Sequence, residues 1–373
     1  MVILEGSNKA LSKVLISGGG RCNVTNAIWE PEKLVKHYPR GKHQLLEPFK
    51  SFNCRDTQNW FEKEGVRLKT ESDGRVFPIS DDSRSIANAL VFKADKLNIE
   101  VKFGYRATSF IQKGSLWTIQ TSSGDMATDA LIIASGGSPA IWKSLASIGL
   151  TIVPPVPSLF TFHCKHELLS DLPGISFPNA TVKVGGKPIQ QSGPILITHE
   201  GLSGPAILKL SAWGARELHG LNYNFPITIN WLGISEKELI TAIKLEQETN
   251  PKKHVINKPI LDIPKRFWQR CCELSGITSN RNYAEIGKKQ IRKFTDLLLK
   301  LNVQATGKST NKDEFVTSGG VDLSEIDFTD FSAKRFPNLY LAGEVLDIDA
   351  VTGGFNFQAA WTGGFMIGTN IKI

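Results

Sequence analysis

No stretch of about eighteen consecutive apolar residues occurs in the 373-residue sequence, so it offers no candidate transmembrane helix. The five cysteines, Cys22, Cys54, Cys164, Cys271 and Cys272, form no Cys-x-x-Cys pair. Their odd number and irregular spacing argue against a disulfide framework or a zinc ribbon and fit a reducing compartment. The first twenty residues contain no positively charged segment followed by a long apolar run. No internal repeat or low-complexity tract stands out. A cytoplasmic, non-membrane protein with no metal site is expected.

What the chain does have is the make-up of an ordinary α/β protein, modestly enriched in glycine: 41% hydrophobic residues, 21% charged, 33 Gly and 18 Pro. The length leaves room for two or three domains. Lys and Arg number 44 against 36 Asp and Glu, a balance of +8 read as spread over the whole length. That balance would suit an anionic ligand.

Met1-Val2-Ile3-Leu4-Glu5 is a short apolar run closed by an acid, the pattern of a buried parallel strand. Such strands usually come from the interior of a sequence, so residues upstream are expected. Lys13-Val14-Leu15-Ile16 is read as a second strand running into Ser17-Gly18-Gly19-Gly20-Arg21-Cys22-Asn23. Residues 99–103 and 116–121 read as strands, with a turn at Ser122-Ser123-Gly124-Asp125, and residues 130–134 as a strand feeding Ser135-Gly136-Gly137. From 151 to 233 the pattern changes to proline punctuation and short alternating runs, at 158–163, 180–184 and 226–231, which is β-rich.

Between 235 and 301 the period becomes helical. Ser235 and Glu238 have capping-box spacing, and Ile291, Phe294, Leu297, Leu298 and Leu301 fall on one face flanked by Lys288, Lys289, Arg292 and Lys293. That basic cluster lacks interleaved aromatics, so it reads as a solvated helix face and no nucleic-acid partner is expected. Residues 338–344 form another buried strand with a Gly-acid ending, and residues 352–358 open an apolar, Ala- and Gly-rich terminal helix. The tail returns to the character of the first 150 residues, which points to a discontinuous first domain with an inserted middle.

Three glycine-rich turns, at 17–23, at 134–137 and at 342–344 with Gly353-Gly354, each follow an apolar run. In an open parallel sheet, ligands sit beyond the carboxyl ends of the strands, where bare backbone N–H groups meet anionic groups. Three such turns suggest a long ligand with phosphates and rings. Glu5, closing the first strand, stands where dinucleotide-binding folds place an acid against the ribose hydroxyls.

With residues 13–26, 74–78, 198–205, 317–321 and 342–358 in view, the chain resembles the BaiN/YhiN-like family of FAD-dependent oxidoreductases over essentially its whole length. The resemblance implies an α/β FAD/NAD(P)-binding Rossmann-like domain with inserted β-barrel-like and helical modules. The FAD-binding domain would comprise residues 1–150 with 318–373, the β-rich insert 151–233 with about 302–317, and the helical insert 234–301. By the same resemblance Glu5 binds the adenosine ribose, Lys13 is a cofactor-binding residue, and the loop of Ser17, Gly18, Gly19, Gly20, Arg21, Cys22 and Asn23 lies along the flavin and ribityl. Arg106 and Ala107 present backbone to the adenine, and Ala134, Ser135 and Gly136 line the adenosine side. Gly343 and Glu344 approach the ribityl and pyrophosphate, while Gly353, Gly354, Phe355, Asn356 and Phe357 hold the isoalloxazine edge.

The family also opens with a strand and a G-x-G-x-x-G turn, and neither is found in these 373 residues. The ribose-binding acid lies about twenty residues beyond those glycines, so an N-terminal truncation of about twenty-five to thirty residues is the expectation, with weakened FAD binding as its consequence. Two functions are weighed. One is an FAD-dependent oxidoreductase acting on a small organic substrate with NAD(P)H as transient electron partner. The alternative is a non-catalytic homologue that no longer binds FAD. His199, Glu200 and Asp347 are polar candidates for proton transfer, and Cys22, without a neighbouring thiol, is read as a packing residue.

Overall fold

The computed structural model describes residues 1–309 and 316–371. Residues 310–315, assigned above to the β-rich insert, lie outside the described residues. The chain divides into two compact units, Met1–Ser158 with Asn311–Ile373, and Leu159–Thr310.

In the first unit, strand Val2–Glu5 runs parallel to Glu100–Phe103, and Leu339–Leu341 runs parallel to Leu131–Ile133. Leu339, Tyr340 and Leu341 are all buried, as continuous apolar runs in parallel sheets should be. An antiparallel meander of Ala107–Lys113, Leu116–Thr121 and Met126–Thr128 follows the first parallel pair, and a small sheet of Thr25–Asn26, Arg75–Pro78 and Leu68–Thr70 follows the glycine loop. The 16-residue helix Phe355–Asn370 closes the unit.

The second unit is a closed six-stranded barrel in the order Thr161–Cys164, Gly201–Ser203, Gln190–Ile197, Ser176–Val184, Phe225–Asn230, Leu301–Ser309. Period-two alternation builds its interior: Ala180, Val182 and Val184 are buried while Thr181 and Lys183 are not. Helices Glu236–Thr249, Lys265–Leu274 and Lys288–Leu299 share one apolar core with the barrel, and the rings of Phe177, Trp231 and Phe267 meet there at 4.7–5.1 Å. The capping box forms as the spacing predicts: Ser235 Oγ accepts from Glu238 N–H, and the Glu238 carboxylate accepts from Ser235 N–H.

The opening strand is parallel but not buried as expected: Val2 and Ile3 are exposed, because a two-stranded sheet with Glu100–Phe103 leaves these side chains uncovered. Other expectations are corrected as well. Residues 13–16 are not a strand but part of the short helix Ser12–Ile16, because Leu11, Val14 and Leu15 follow helical spacing, with Val14 buried and the other two packed against the same core. Leu301 does not extend the helical face; it begins the last barrel strand. Strand Ile152–Ser158 pairs with Val316–Val321 inside the first unit, and residues 234–301 belong with the barrel, so the three-part division gives way to two units. Finally, the surplus charge is not spread along the chain. Residues 159–310 hold 20 Lys and Arg against 12 Asp and Glu, whereas the remainder holds 24 of each.

Candidate functional site

The site is built from two ends of the sequence. In the loop after helix Ser12–Ile16, Gly18, Gly19 and Gly20 lie consecutively in the left-handed region, at φ 57°, 68° and 83°. Glycine tolerates that conformation with no Cβ penalty, and a Cβ added at Gly19 or Gly20 would meet no atom within 4 Å. The loop is held from below: Cys22 N–H donates to Ser17 O at 3.0 Å, Ser83 N–H to Gly20 O at 2.8 Å, and Ser83 Oγ to Leu15 O at 2.7 Å. The Arg21 guanidinium stacks 4.0 Å from the Phe77 ring centroid and pairs with Glu71 at 2.8 Å. Cys22 is fully buried, and burial pushes its thiol up to about 11.

The start of the terminal helix lies against this loop. Asn26 Nδ2 donates to Gly353 O at 2.9 Å, and Trp361 Nε1 to Val24 O at 2.9 Å. With its amide oriented by its neighbours, Asn23 accepts from Gly354 N–H at 2.9 Å and donates to Thr25 O at 2.9 Å. Thr25 and Thr57 both donate to Gln358 Oε1, at 2.5 and 2.9 Å, in a fully buried cluster. Gly353 and Gly354 are obligatory, because a Cβ would reach the Phe355 ring at 2.6 Å or Thr25 O at 2.4 Å. The N-cap Gly354 offers no side chain to the first turn, where the helix dipole is positive.

Residues 37–40, which the sequence reading missed, hold that helix start from another side. Tyr38 Oη donates to Phe355 O at 2.6 Å, Val351 N–H donates to His37 O at 3.0 Å, and the His37 ring stacks on Phe355 at 4.3 Å. Arg40 forms a two-pronged ion pair with Asp349, which also accepts from Ser158 Oγ at 2.8 Å. Asp349 is fully buried, and burial raises its carboxyl above the ordinary range although Arg40 and Ser158 oppose the shift. The only sequence signal was the pair of acids within 347–349, since residues 37–40 match no pattern.

A second locus gathers Lys13, residues 134–137, Gly343 and Glu344. Lys13 pairs with the Glu344 carboxylate, which also accepts from Thr317 N–H at 2.9 Å. An added Cβ at Gly136 would lie 3.7 Å from both Lys13 Nζ and Glu344 Oε2, and one at Gly137 would lie 3.2 Å from Glu344 Oε1. Ala342 N–H donates to Ile133 O, which ties the two strand ends together.

A third locus joins Glu5 to the stretch holding Arg106 and Ala107. Tyr105 N–H donates to Glu5 O at 3.1 Å, and a Cβ on Gly6 would touch Arg106 at 3.4 Å. The Glu5 carboxylate accepts from Ser7 N–H at 2.8 Å. The proton-transfer candidates divide: Asp347 is buried in the first unit, while His199 and Glu200 belong to the second, where Glu200 lies 3.1 Å from His163. Among the described residues no group of three or more His, Cys, Asp or Glu could hold a metal. None of the described helices is long and apolar enough to cross a membrane.

Parallel strands whose carboxyl ends carry left-handed glycines, beside an uncapped helix start, define a nucleotide-binding α/β protein of the Rossmann type. The chain belongs to the HI0933-like protein Rossmann domain family, whose model matches residues 1–370. This upholds the resemblance to the BaiN/YhiN-like FAD-dependent oxidoreductases. Similar curated proteins include a ribosomal RNA dihydrouridine synthase from Escherichia coli, 27% identical over 97% of this chain and 89% of that protein. Another is a 3-dehydro-bile acid delta(4,6)-reductase from Clostridium scindens, 25% identical over 98% of this chain and 91% of that protein. Among solved structures, the open conformation of a flavocytochrome c3 fumarate reductase matches 99% of this chain and 73% of that chain, at 14% identity and a TM-score of 0.49.

Proposed function

We propose that the chain is an FAD-dependent oxidoreductase that reduces a carbon–carbon double bond conjugated to a carbonyl group, with NAD(P)H as the electron source. The observation that carries the reading is the joining of residues 17–26 to residues 353–361 into one glycine-lined cradle. A ligand could approach the loop backbone at Gly19 and Gly20, where an added Cβ would meet nothing within 4 Å, and the positive end of the helix dipole suits a ring edge bearing partial negative charge. The relatives' names agree on the chemistry. A dihydrouridine is a uridine whose ring double bond, conjugated to a carbonyl, has gained two hydrogens, and the delta(4,6) bonds of a 3-oxo steroid are likewise conjugated to the ketone.

When bound, the flavin supplies hydride transfer. The rest falls to this chain. Glu5, Arg106 and Ala107 would hold the adenosine end; Lys13, Ala134, Ser135, Gly136, Gly343 and Glu344 the middle; Ser17 to Asn23 and Gly353 to Phe357 the ring. Residues 37–40 fix the helix start, whose N–H groups would face the ring. Asp347, in the same unit as the cradle, is the group assigned to hold or move the proton that completes the reduction.

The test is titration of the purified chain with FAD, followed anaerobically at the flavin absorbance band, with NADPH and then an enone or a uridine-containing RNA added in turn. Bleaching by NADPH and recovery on adding the conjugated substrate are expected. A chain that takes up no flavin leaves the non-catalytic alternative. A flavin that NADPH reduces but neither acceptor reoxidises would overturn the proposed reaction class.

A further inference from the structure

We propose that the helical part of the second unit, residues 236–301, is an RNA-docking surface whose phosphate contacts are made by Lys252, Lys253, Arg281, Lys289, Arg292 and Lys293. The proposal deepens the reading above, on which it rests for its catalytic meaning: the conjugated ring is then a base carried on a polynucleotide.

The first ground is where the charge lies. The first unit is balanced, and residues 236–301 alone hold 14 Lys and Arg against 8 Asp and Glu, most of the whole chain's surplus in under a fifth of its length. A surplus confined to one part of a molecule is a field with a direction, which net charge spread evenly would not produce.

The second ground is that this charge is left unspent. Within the same stretch Lys258 pairs with Glu246, Arg270 with Asp171 and Glu273, and Lys300 with Glu236. None of the six proposed contact side chains enters an ion pair or hydrogen bond among the described residues, and all but the half-buried Arg281 are exposed. Two of them are brought together by the backbone: Val255 N–H donates to Arg281 O and Tyr283 N–H to Lys253 O, across an antiparallel bridge between His254 and Asn282.

The third ground is that the helix Lys288–Leu299 places its charges against local preference. Its first turn holds Lys288 and Lys289 and no acid, although the helix dipole disfavours cations there. Lys289 and Lys293 repeat like charge four residues apart, on the side away from buried Phe294, Leu298 and Leu299. Conflicts of this kind concentrate where function requires them.

The occupant follows from what the surface lacks. Phe267, Trp268, Tyr283 and Phe294, the Phe, Trp and Tyr of this stretch, are buried, and His254 is its one exposed aromatic ring. The surface therefore offers many cations and a single imidazole, which matches the phosphate backbone of a structured RNA better than a run of splayed single-stranded bases. The curated relative named for a ribosomal RNA modification, covering 97% of this chain, favours RNA over an acidic protein.

The experiment measures binding of the full chain, without added flavin, to a fluorescent structured ribosomal RNA fragment between 50 and 300 mM salt. Replacing four contacts together, as Lys252→Gln, Lys253→Gln, Lys289→Gln and Lys293→Gln, should flatten the slope of log affinity against log salt by about three, at roughly 0.7–0.9 per phosphate contact. The melting temperature should hold or rise, since only repulsion is removed. Lys63→Gln, Lys96→Gln, Lys113→Gln and Lys143→Gln together, in the balanced unit, should leave the slope unchanged. Equal slopes for wild type and the first variant would overturn the proposal, as would poly-glutamate competing as well as RNA, which would mark an acidic-protein surface. Because no flavin enters the assay, failure of the oxidoreductase reading and failure of this one are read separately.

Discussion

Asp349 is the residue on which the candidate site leans hardest. Its carboxylate is fully buried between Arg40 and Ser158, immediately before the loop that leads into the terminal helix. Removing one partner of a buried pair leaves an uncompensated charge. Arg40→Met should therefore destabilise the chain by about 3–5 kcal/mol, and Arg40→Lys by less, as read from urea unfolding. The pH dependence has a definite sign. Burial raises the native carboxyl above its unfolded value, so the folded state holds the proton more tightly than the unfolded one. Stability of Arg40→Met should be greatest below about pH 4 and fall as the pH rises through the raised native value, more steeply than in wild type. A flat profile from pH 4 to 8 would count against this assignment. Cys22, its thiol held near 11 by burial, should resist iodoacetamide at pH 8 in the native chain and react once the chain is unfolded, as mass spectrometry would show.

At the level of elements, two helix starts show how differently local sequence and long-range packing can specify the same feature. The helix Glu236–Thr249 announces itself through Ser235 and Glu238, because a capping box is satisfied within four residues. Ser235→Ala should cost about 1 kcal/mol in thermal or urea unfolding. The helix Phe355–Asn370 starts without any side-chain cap, and its position is set by Thr25, Asn26, Tyr38 and His37, more than three hundred residues away. Gly354→Ala must strain φ 85° and also push the Thr25 carbonyl, 2.4 Å from the new Cβ, whereas Gly19→Ala strains φ 68° into open space. The second should cost about 1–2 kcal/mol, the price of left-handed backbone alone, and the first distinctly more. Equal losses on urea unfolding would mean that the helix start and the loop are not packed as described.

For the whole molecule, the two units keep separate accounts. The barrel unit has its own core of Phe, Trp, Ile and Leu from strands and helices alike, and the residues assigned to the cofactor or the proton lie in the other unit. Binding to one folded unit stabilises that unit by mass action. Saturating FAD should raise the calorimetric transition of the first unit and leave that of the barrel unit in place. A shift of both transitions by equal amounts would show that the units unfold as one.

Much of this was legible in the residues themselves. Alternation built the barrel strands, the capping box marked a helix, continuous apolar runs marked Leu131–Ile133 and Leu339–Leu341, and the glycine turns pointed to a nucleotide site, because each of these signals is local. What escaped was whatever depends on residues distant in the chain. The run at 13–16 reads as a strand because three apolar residues after a lysine do not distinguish periods, and only the core around Val14 decides for helix. Arg40 and Asp349 carry no signal in the sequence, since a burial that turns two such residues into a structural lock is created by the fold and has no local code. The same holds for the charge: composition determined that the chain carries +8, but only tertiary structure decided that the first unit would cancel its own and the barrel unit would keep all of it. Local stereochemistry and hydrophobic period are written residue by residue, whereas proximity between chain ends, burial and the direction of an electric field exist only once the chain has closed on itself.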